Sequence, residues 1–374
     1  MAGPIVISAA QPAAAAATNG ERWMARALAL AYAGWGQVSP NPLVGAVLVR
    51  ENEVVGEGAH RAFGGPHAEV EALSSAGERA RGSTMYVTLE PCTHVGKTPP
   101  CVDAIIAAGV SRVVVATRDP NPAAGGGIER LRAAGIEVDV GLLAAEAEEL
   151  NAPFLHSFRS DRPWVTLKLA VSMDGAISDA SRKPGWLTGP EARRRVHHLR
   201  AGSDAIGVGM GTVLADDPFL TVRDVAPPRV APLRVVFSRT GRLPLTSKLA
   251  QRNDGSPVIV FSSQPDPNYE HELRALGVET IASSSLDESV RLLRGRGVHS
   301  LLVEGGASLG AALLEANLVD RVVLFQAPVL LGKGALPAFG ALPGAEAMNA
   351  PRWRPIGSEW IGEDHMLVLA PEGH

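Results

Sequence analysis

The stretch that decides the fold is HAEVEALSSAGERARGSTMYVTLEPCTHVGKTPPCVDAIIAAG, residues 67–109. Residues 67–80 carry apolar positions at helical spacing. STMYVTLE is a β-rich run that stops at Pro91, and PPCVDAIIAAG opens with prolines where a helix tolerates them, in its first turn. Working outward, ERWMARALALAYA from Glu21 predicts a helix. VGAVLVR and EVVGEG predict a strand pair after the Asn41-Pro42 turn. SRVVVAT predicts a strand, Ile128 to Ala134 a helix, and IEVDVG another strand. Strands alternating with helices argue for an α/β sheet covered by helices.

AEAEELNAPFLHSF predicts a single connecting helix, ended at Ser160-Asp161-Arg162-Pro163 because the residue before proline disfavours helix. A second strand series follows: WVTLKLAVS, DAIGVGM, LRVVFS, PVIVFS, SLLVEGG, DRVVLFQAPVL, and a last strand in WIGEDHMLVLA. PEARRRVHHLRA and EHELRALG are helical between them. This division sets residues 1–20 aside as an Ala-rich extension outside the fold. It places a first domain at 21–145, a linker at 146–163 and a second domain at 164–374.

Composition narrows the function classes. The chain has 374 residues, a formal charge of −4, 46% hydrophobic and 20% charged residues. That is ordinary globular usage, enough for two domains or three at about 150 residues each. The negative balance argues against wrapping nucleic acid by charge. Two cysteines exclude a disulfide-dense secreted scaffold. No run of about 18 uncharged apolar residues predicts a membrane span. The first twenty residues lack the basic start and long apolar core of a signal peptide, which makes the cytoplasm the default.

His67, Cys92 and Cys101 supply three zinc-type ligands and leave a fourth tetrahedral position for water, the arrangement of a catalytic rather than a structural site. Zinc lowers the pKa of bound water toward about 7. Glu69, two residues from His67, is placed to take a proton from that water and pass it on. The plain alternatives are two ordinary buried cysteines or a structural zinc, for which His94 is the only nearby fourth ligand. His94 otherwise reads as a loop residue that touches substrate or is solvated. Gly96, Lys97 and Thr98 offer flexible backbone, a cation and a hydroxyl suited to phosphate. Asn41 reads as a plain turn residue or a contact to a ribose or base edge. His60 reads equally as a surface histidine.

H-x-E followed by P-C and a second Cys resembles the zinc-deaminase pattern, with one departure: eight residues rather than two separate the cysteines. With SPNPLVGAVLV and VVGEGAH upstream, HAE and TLEPCTHVGKTPPC resemble the bifunctional riboflavin-biosynthesis deaminase–reductases. The resemblance implies a cytidine-deaminase-like three-layer α/β/α domain followed by a dihydrofolate-reductase-like α/β domain. It implies zinc and NADPH as cofactors, and a pyrimidinone ribosylamine phosphate as the small-molecule substrate. A homo-oligomer is implied as well. In the second half LKLAVSMDG, GWLTGPEARRRVHHLRA, GVGMGTVLADDPFLTVR and LLVEGGASLGAALLEANLVD resemble the reductase domain of that family, so the resemblance covers nearly the whole chain.

The roles that follow are expectations. Gly306, Ala307, Ser308 and Leu309, at a helix start after a strand, form a cradle for cofactor phosphate. Thr212 and Asp216 are presented to the cofactor by a short helix. Ser238 faces the adenosine, with Arg239 and Arg242 able to pair a 2′-phosphate. By resemblance, Ala170 and Trp186 line the cofactor. Arg200 and Arg223 hold the substrate phosphate, Leu220 packs nearby, and Glu304, Lys168 and Asp174 meet polar parts of the substrate. Where the family has a polar Gly-Glu-Ser-like run, this chain has SDASRKPGW, and Pro184 stands where a hydroxyl is expected. No G-x-G-x-x-G fingerprint opens either half; Gly125-Gly126-Gly127 and the 207–211 glycines do not fit its spacing. Two other classes stay open: a base editor of RNA or DNA, against which the 5% aromatic content argues, and a zinc-stabilised binding protein without catalysis, for which Glu69 has no use.

Overall fold

The computed structural model describes residues 18–94, 99–183, 185–251, 256–346 and 348–372. Contacts divide them into two units between Arg159 and Ser160.

The first unit runs α1 (Asn19–Ala31), β1 (Gly45–Arg50), β2 (Glu53–Ala59), α2 (Ala68–Ala76), β3 (Thr84–Leu89), α3 (Cys101–Ala108), β4 (Arg112–Thr117), α4 (Gly127–Ala133), β5 (Glu137–Val140), α5 (Ala144–Leu150) and α6 (Ala152–His156). Its sheet has the order β2-β1-β3-β4-β5. β1 is antiparallel to both neighbours, while β3, β4 and β5 are parallel. The two-residue period of the strands builds two cores. Ala46, Leu48, Val113 and Val115 face Ala72, Ile105 and Ile128, whereas Val47, Val49, Val114 and Ala116 face Trp23, Met24 and Ala147. The sheet is therefore covered on both faces.

Two details differ from the sequence reading. Thr18 and Glu21 form a capping box, so α1 begins at Asn19, inside the stretch set aside as an extension. Residues 1–17 lie outside the described residues. The predicted connecting helix is instead two short helices packed into the first unit. Asn151 divides them: its side chain accepts from the Leu43 amide at 2.8 Å and donates to the Leu43 carbonyl at 2.9 Å, and Pro153 starts the next helix.

The second unit runs β6 (Trp164–Val171), β7 (Ala176–Ser178), α7 (Pro190–Ala201), β8 (Ala205–Gly209), α8 (Met210–Asp216), β9 (Leu233–Ser238), α9 (Lys248–Gln251), β10 (Val258–Ser262), α10 (Pro267–Ala275), β11 (Val278–Ala282), α11 (Leu286–Gly295), β12 (Ser300–Glu304), α12 (Ala307–Glu315), β13 (Arg321–Gln326), β14 (Leu336–Pro337), β15 (Trp353–Ile361) and β16 (Asp364–Pro371). Nine strands form one sheet in the order β11-β10-β9-β8-β12-β6-β13-β16-β15. All pairings from β11 to β13 are parallel, and β16 and β15 close the edge antiparallel. The predicted last strand is thus a hairpin that turns at Gly362, which takes φ +62°. β12 inserts between β8 and β6, so the chain reverses direction across the sheet there. Ligands of open α/β sheets bind beyond the carboxyl ends of strands at such a reversal.

Candidate active sites

His67 is the N-cap of α2, and Glu69 lies in that helix's first turn with 3% of its surface exposed. The close seat of α2 on β2 depends on Gly58, where a Cβ would fall 2.1 Å from the Ala68 carbonyl oxygen. Cys92 follows β3, and Cys101 is the first residue of α3 behind Pro100. Three separate elements therefore deliver these side chains. His67 Nδ1 lies 3.2 Å from Cys101 Sγ and 3.6 Å from Cys92 Sγ, and all three donor atoms fall within 4.8 Å of one another. Zinc bonds of about 2.0–2.3 Å imply tetrahedral edges of about 3.3–3.8 Å, so the donor set fits that ion. No fourth His, Cys, Asp or Glu among the described residues joins the cluster.

Contact with Cys101 drives the Cys92 thiol down to about 4, and the same contact drives Cys101 up. The hydrogen bond with Cys92 raises His67. Burial raises Glu69, against the pull of its own backbone amide and of His67, so the carboxyl holds a proton more readily than in water.

The loop that carries Cys92 is braced from α4. Glu90, 4% exposed, accepts from the Ile128 amide at 3.1 Å and the Asp119 amide at 3.3 Å. The Thr93 hydroxyl donates to the Gly125 carbonyl at 2.8 Å, and the Thr93 amide to the Ala124 carbonyl at 3.1 Å. Beside His67, the Asn41 amide group meets His60 Nε2 at 3.1 Å, while His60 Nδ1 meets the Pro66 carbonyl at 2.9 Å. The His60 and His67 rings stand edge to face at 5.3 Å.

In the second unit Glu304 ends β12 opposite Lys168 of β6. Its carboxylate accepts a bidentate pair from Arg200 of α7, with Nη2 at 2.8 Å, and Arg200 Nη1 donates to the Thr221 carbonyl at 2.8 Å. Burial opposes the charge on Glu304, yet Arg200, with help from Lys168, holds it down at about 2. Burial lowers Lys168, partly offset by Glu304. Gly306 caps α12, and a Cβ there would sit 3.3 Å from the Thr212 hydroxyl of α8. A Cβ on Gly209 would meet Leu309 at 3.3 Å. The starts of α8 and α12 thus lie against each other over the carboxyl ends of β8 and β12.

Residues 17–117 match the family model of the cytidine and deoxycytidylate deaminase zinc-binding region, and residues 163–367 match the RibD C-terminal domain. The chain is 44% identical over 352 residues to the riboflavin biosynthesis protein RibD of Aquifex aeolicus, covering 93% of this chain and 98% of that protein. It is 43% identical to RibD of Escherichia coli, with the same shares covered. The solved structure of Acinetobacter baumannii RibD superposes with a TM-score of 0.81 at 39% identity, over 94% of this chain and 99% of the other. The chain belongs to the RibD family. It is a bifunctional deaminase and reductase of riboflavin biosynthesis that uses zinc and NADPH. The Thermotoga maritima structure titled a diaminohydroxyphosphoribosylaminopyrimidine deaminase/5-amino-6-(5-phosphoribosylamino)uracil reductase aligns at 37% identity with a TM-score of 0.81, over 94% of this chain and 99% of the other. Among the described residues no helix is long and apolar enough to cross a membrane.

Set on this family's fold, the residues singled out from sequence divide into those brought together and those not. His67, Glu69, Cys92 and Cys101 converge; Lys97 and Thr98 lie outside the described residues, as does Pro184. His94 is exposed. His60 is 3% exposed rather than a surface residue, its ring held among Asn41, the Pro66 carbonyl and the His67 ring. Lys168, Arg200 and Glu304 form one charged cluster with Leu220 and Arg223 on the adjoining loop. Three of Arg200's five N–H donors are engaged, which leaves two for an anion. Asp174 ties its turn to a distant loop: it accepts from the Ser172 hydroxyl and from the Leu331 and Gly332 amides, which hold it at about 2.

Thr212, Gly306, Ala307, Ser308 and Leu309 share the α8–α12 junction. Ala170 lies near the carboxyl end of β6, and Ser238 ends β9, where its hydroxyl accepts from the Gly241 amide at 3.0 Å. Asp216 is exposed at the end of α8. Trp186 is 78% exposed, with the Arg193 guanidinium 5.0 Å from its ring. Arg242 is paired with Asp266 at 2.8 Å, whereas Arg239 is exposed at the end of β9. Sequence reasoning missed Glu90 and Asp119 beside the metal ligands. The signal for Glu90 was present: an acid before Pro91, at the end of an apolar strand, has to find buried partners.

Proposed function

We propose that the first unit hydrolytically deaminates 2,5-diamino-6-ribosylamino-4(3H)-pyrimidinone 5′-phosphate. We propose that the second reduces the ribosyl group of 5-amino-6-(5-phosphoribosylamino)uracil to ribityl with NADPH. The observation that carries the reading is the convergence of His67, Cys92 and Cys101 on one point beside the buried carboxyl of Glu69.

His67, Cys92 and Cys101 hold the zinc, which when bound supplies water acidic enough to attack near neutral pH. Glu69 takes a proton from the attacking water and delivers protons to the ring nitrogen and then to the departing ammonia. Burial of Glu69 favours its protonated form between these transfers. Asn41, held by His60, orients the base or ribose edge. Lys97 and Thr98 take the phosphate.

In the second unit NADPH, when bound, supplies hydride to ribose C1′. Gly306, Ala307, Ser308, Leu309 and Thr212 seat its phosphates at the start of α12, where free amides favour an anion. Ser238 and Asp216 bind its outer part, with Ala170 and Trp186 along it. Arg223 and the remaining donors of Arg200 hold the substrate phosphate, with Leu220 packed beside them. Lys168 and Glu304 meet the polar atoms of the sugar and base. The reading assigns the deaminase to residues 21–145 and the reductase to 164–374. It makes the enzyme a cytoplasmic homo-oligomer acting on a small pyrimidine phosphate, with neither nucleic acid nor membrane as partner.

The test is incubation of zinc-loaded protein with the diaminopyrimidine ribosylamine phosphate, with and without NADPH, read by mass. Without NADPH the product exchanges an amino group for oxygen; with NADPH it also gains two hydrogens. Unchanged substrate in both arms refutes the proposal.

A further inference from the structure

The loop joining α8 to β9 carries three non-glycine residues in the left-handed region within eight positions: Asp217 at φ 42°, Leu220 at φ 51° and Asp224 at φ 60°. Such residues persist only where the surroundings over-determine the backbone, and they cluster at ligand clamps. Leu220 is 2% exposed, so its side chain anchors the middle of the loop in the core. At one end Asp217 accepts from the Lys248 amide at 2.8 Å. At the other end two residues one helical turn apart on α7 reach across. Arg200 Nη1 donates to the Thr221 carbonyl at 2.8 Å, and His197 Nδ1 accepts from the Arg223 amide at 3.1 Å. Residues three apart share a helix face, so α7 grips two consecutive peptide units of the loop, those on either side of residue 222. His197 is 8% exposed, and its ring is committed to the tautomer that carries its proton on Nε2. The same Arg200 is fixed in turn by Glu304.

We infer that His197 is a positioning residue of the reductase: by accepting the Arg223 amide it fixes the strained loop so that the Arg223 guanidinium meets the substrate phosphate. This rests on the reading of Arg223 as a phosphate ligand, and it adds a residue that touches neither substrate nor cofactor. Loss of the acceptor releases the Arg223 peptide, and the loop relaxes toward ordinary backbone angles.

The test uses the full-length, zinc-loaded enzyme and the deaminated pyrimidine ribosylamine phosphate with NADPH. His197→Leu fills the ring's space without an acceptor, and the expected result is a KM raised about tenfold with kcat nearly unchanged, the size of one hydrogen bond. His197→Asn restores an acceptor near the Nδ1 position and returns KM to within about twofold of the parent. Arg223→Ala raises KM as well, and His197→Leu adds little on top of it, because both act through one contact. Trypsin cuts after Arg223 faster in His197→Leu than in the parent. Should His197→Leu fail to fold, His197→Met carries the same readouts. An unchanged KM in Arg223→Ala overturns the phosphate reading. A raised KM there, with an unchanged KM in His197→Leu or equal damage in His197→Asn, overturns this inference alone.

Discussion

Gly127→Ala is the sharpest probe of how the metal site is held. A Cβ at residue 127 would lie 1.9 Å from the Pro91 carbonyl oxygen, where real Cβ contacts stay beyond 3.0 Å. Some 1.1 Å of separation must be found, the difference between those two values. Gly127 cannot simply back away, because the next amide, Ile128, is bonded to Glu90, and Thr93 is bonded to Ala124 and Gly125. The displacement therefore falls on Pro91 and on the adjoining ligand Cys92. Metal–ligand distances tolerate about 0.2 Å, a fraction of that shift. The expected result is a zinc affinity about 10- to 100-fold weaker, on the scale of losing an outer-shell partner, with overpacking costing about 1–3 kcal/mol of stability. Competition with a chromophoric chelator and a metal count after dialysis measure it without reference to turnover. Gly125→Ala is the control, since its added Cβ meets nothing closer than 3.5 Å and should leave affinity unchanged. Parental affinity in a well-folded Gly127→Ala chain would show that the Cys92 loop is not set by α4.

Three further outcomes follow from the geometry. Glu69→Gln abolishes ammonia release yet leaves reduction of pre-deaminated substrate intact; loss of both activities in a folded chain means the two sites are not separate. Glu304 is held at about 2 against an ordinary value of 4.5, so its ion pair contributes fully above about pH 4.5 and is lost as pH falls toward 2. That is on the order of 3 kcal/mol. Denaturant unfolding of the reductase unit should therefore weaken across that window in the parent, and Glu304→Gln should flatten the pH dependence. Arg239→Ala raises the KM for NADPH but not for NADH, while Arg242→Ala does less, because Arg242 is already paired with Asp266; equal effects on both cofactors would remove Arg239 from 2′-phosphate recognition.

The metal site was legible because each of its parts is local. His67 and Glu69 share one helical turn, Cys92 follows a strand end, and Cys101 follows a proline pair, so residue type and spacing suffice. What escaped is what only folding brings together. From sequence His60 reads equally as a surface residue; folded, it is buried against the Pro66 carbonyl and the His67 ring, and its bond to Asn41 spans 19 residues. β11 is half exposed at the sheet edge, so its alternation is too weak to mark a strand, and the terminal hairpin hid in a run whose turn is a single Gly-Glu pair. The clearest case is Arg200 and Glu304. Sequence placed both against substrate, one for its charge and one for its oxygens, and they lie 104 residues apart. Folded, they bind each other. A largely enclosed carboxylate beside a partly buried lysine and arginine is tolerable only if the charges are paired. The same pairing sets the Arg200 fork that grips Thr221, so a salt bridge that reads as structural also shapes the loop carrying Arg223. The family resemblance put these residues forward for the site; that Arg200 and Glu304 hold each other is a property of the sheet order, which places β12 between β8 and β6.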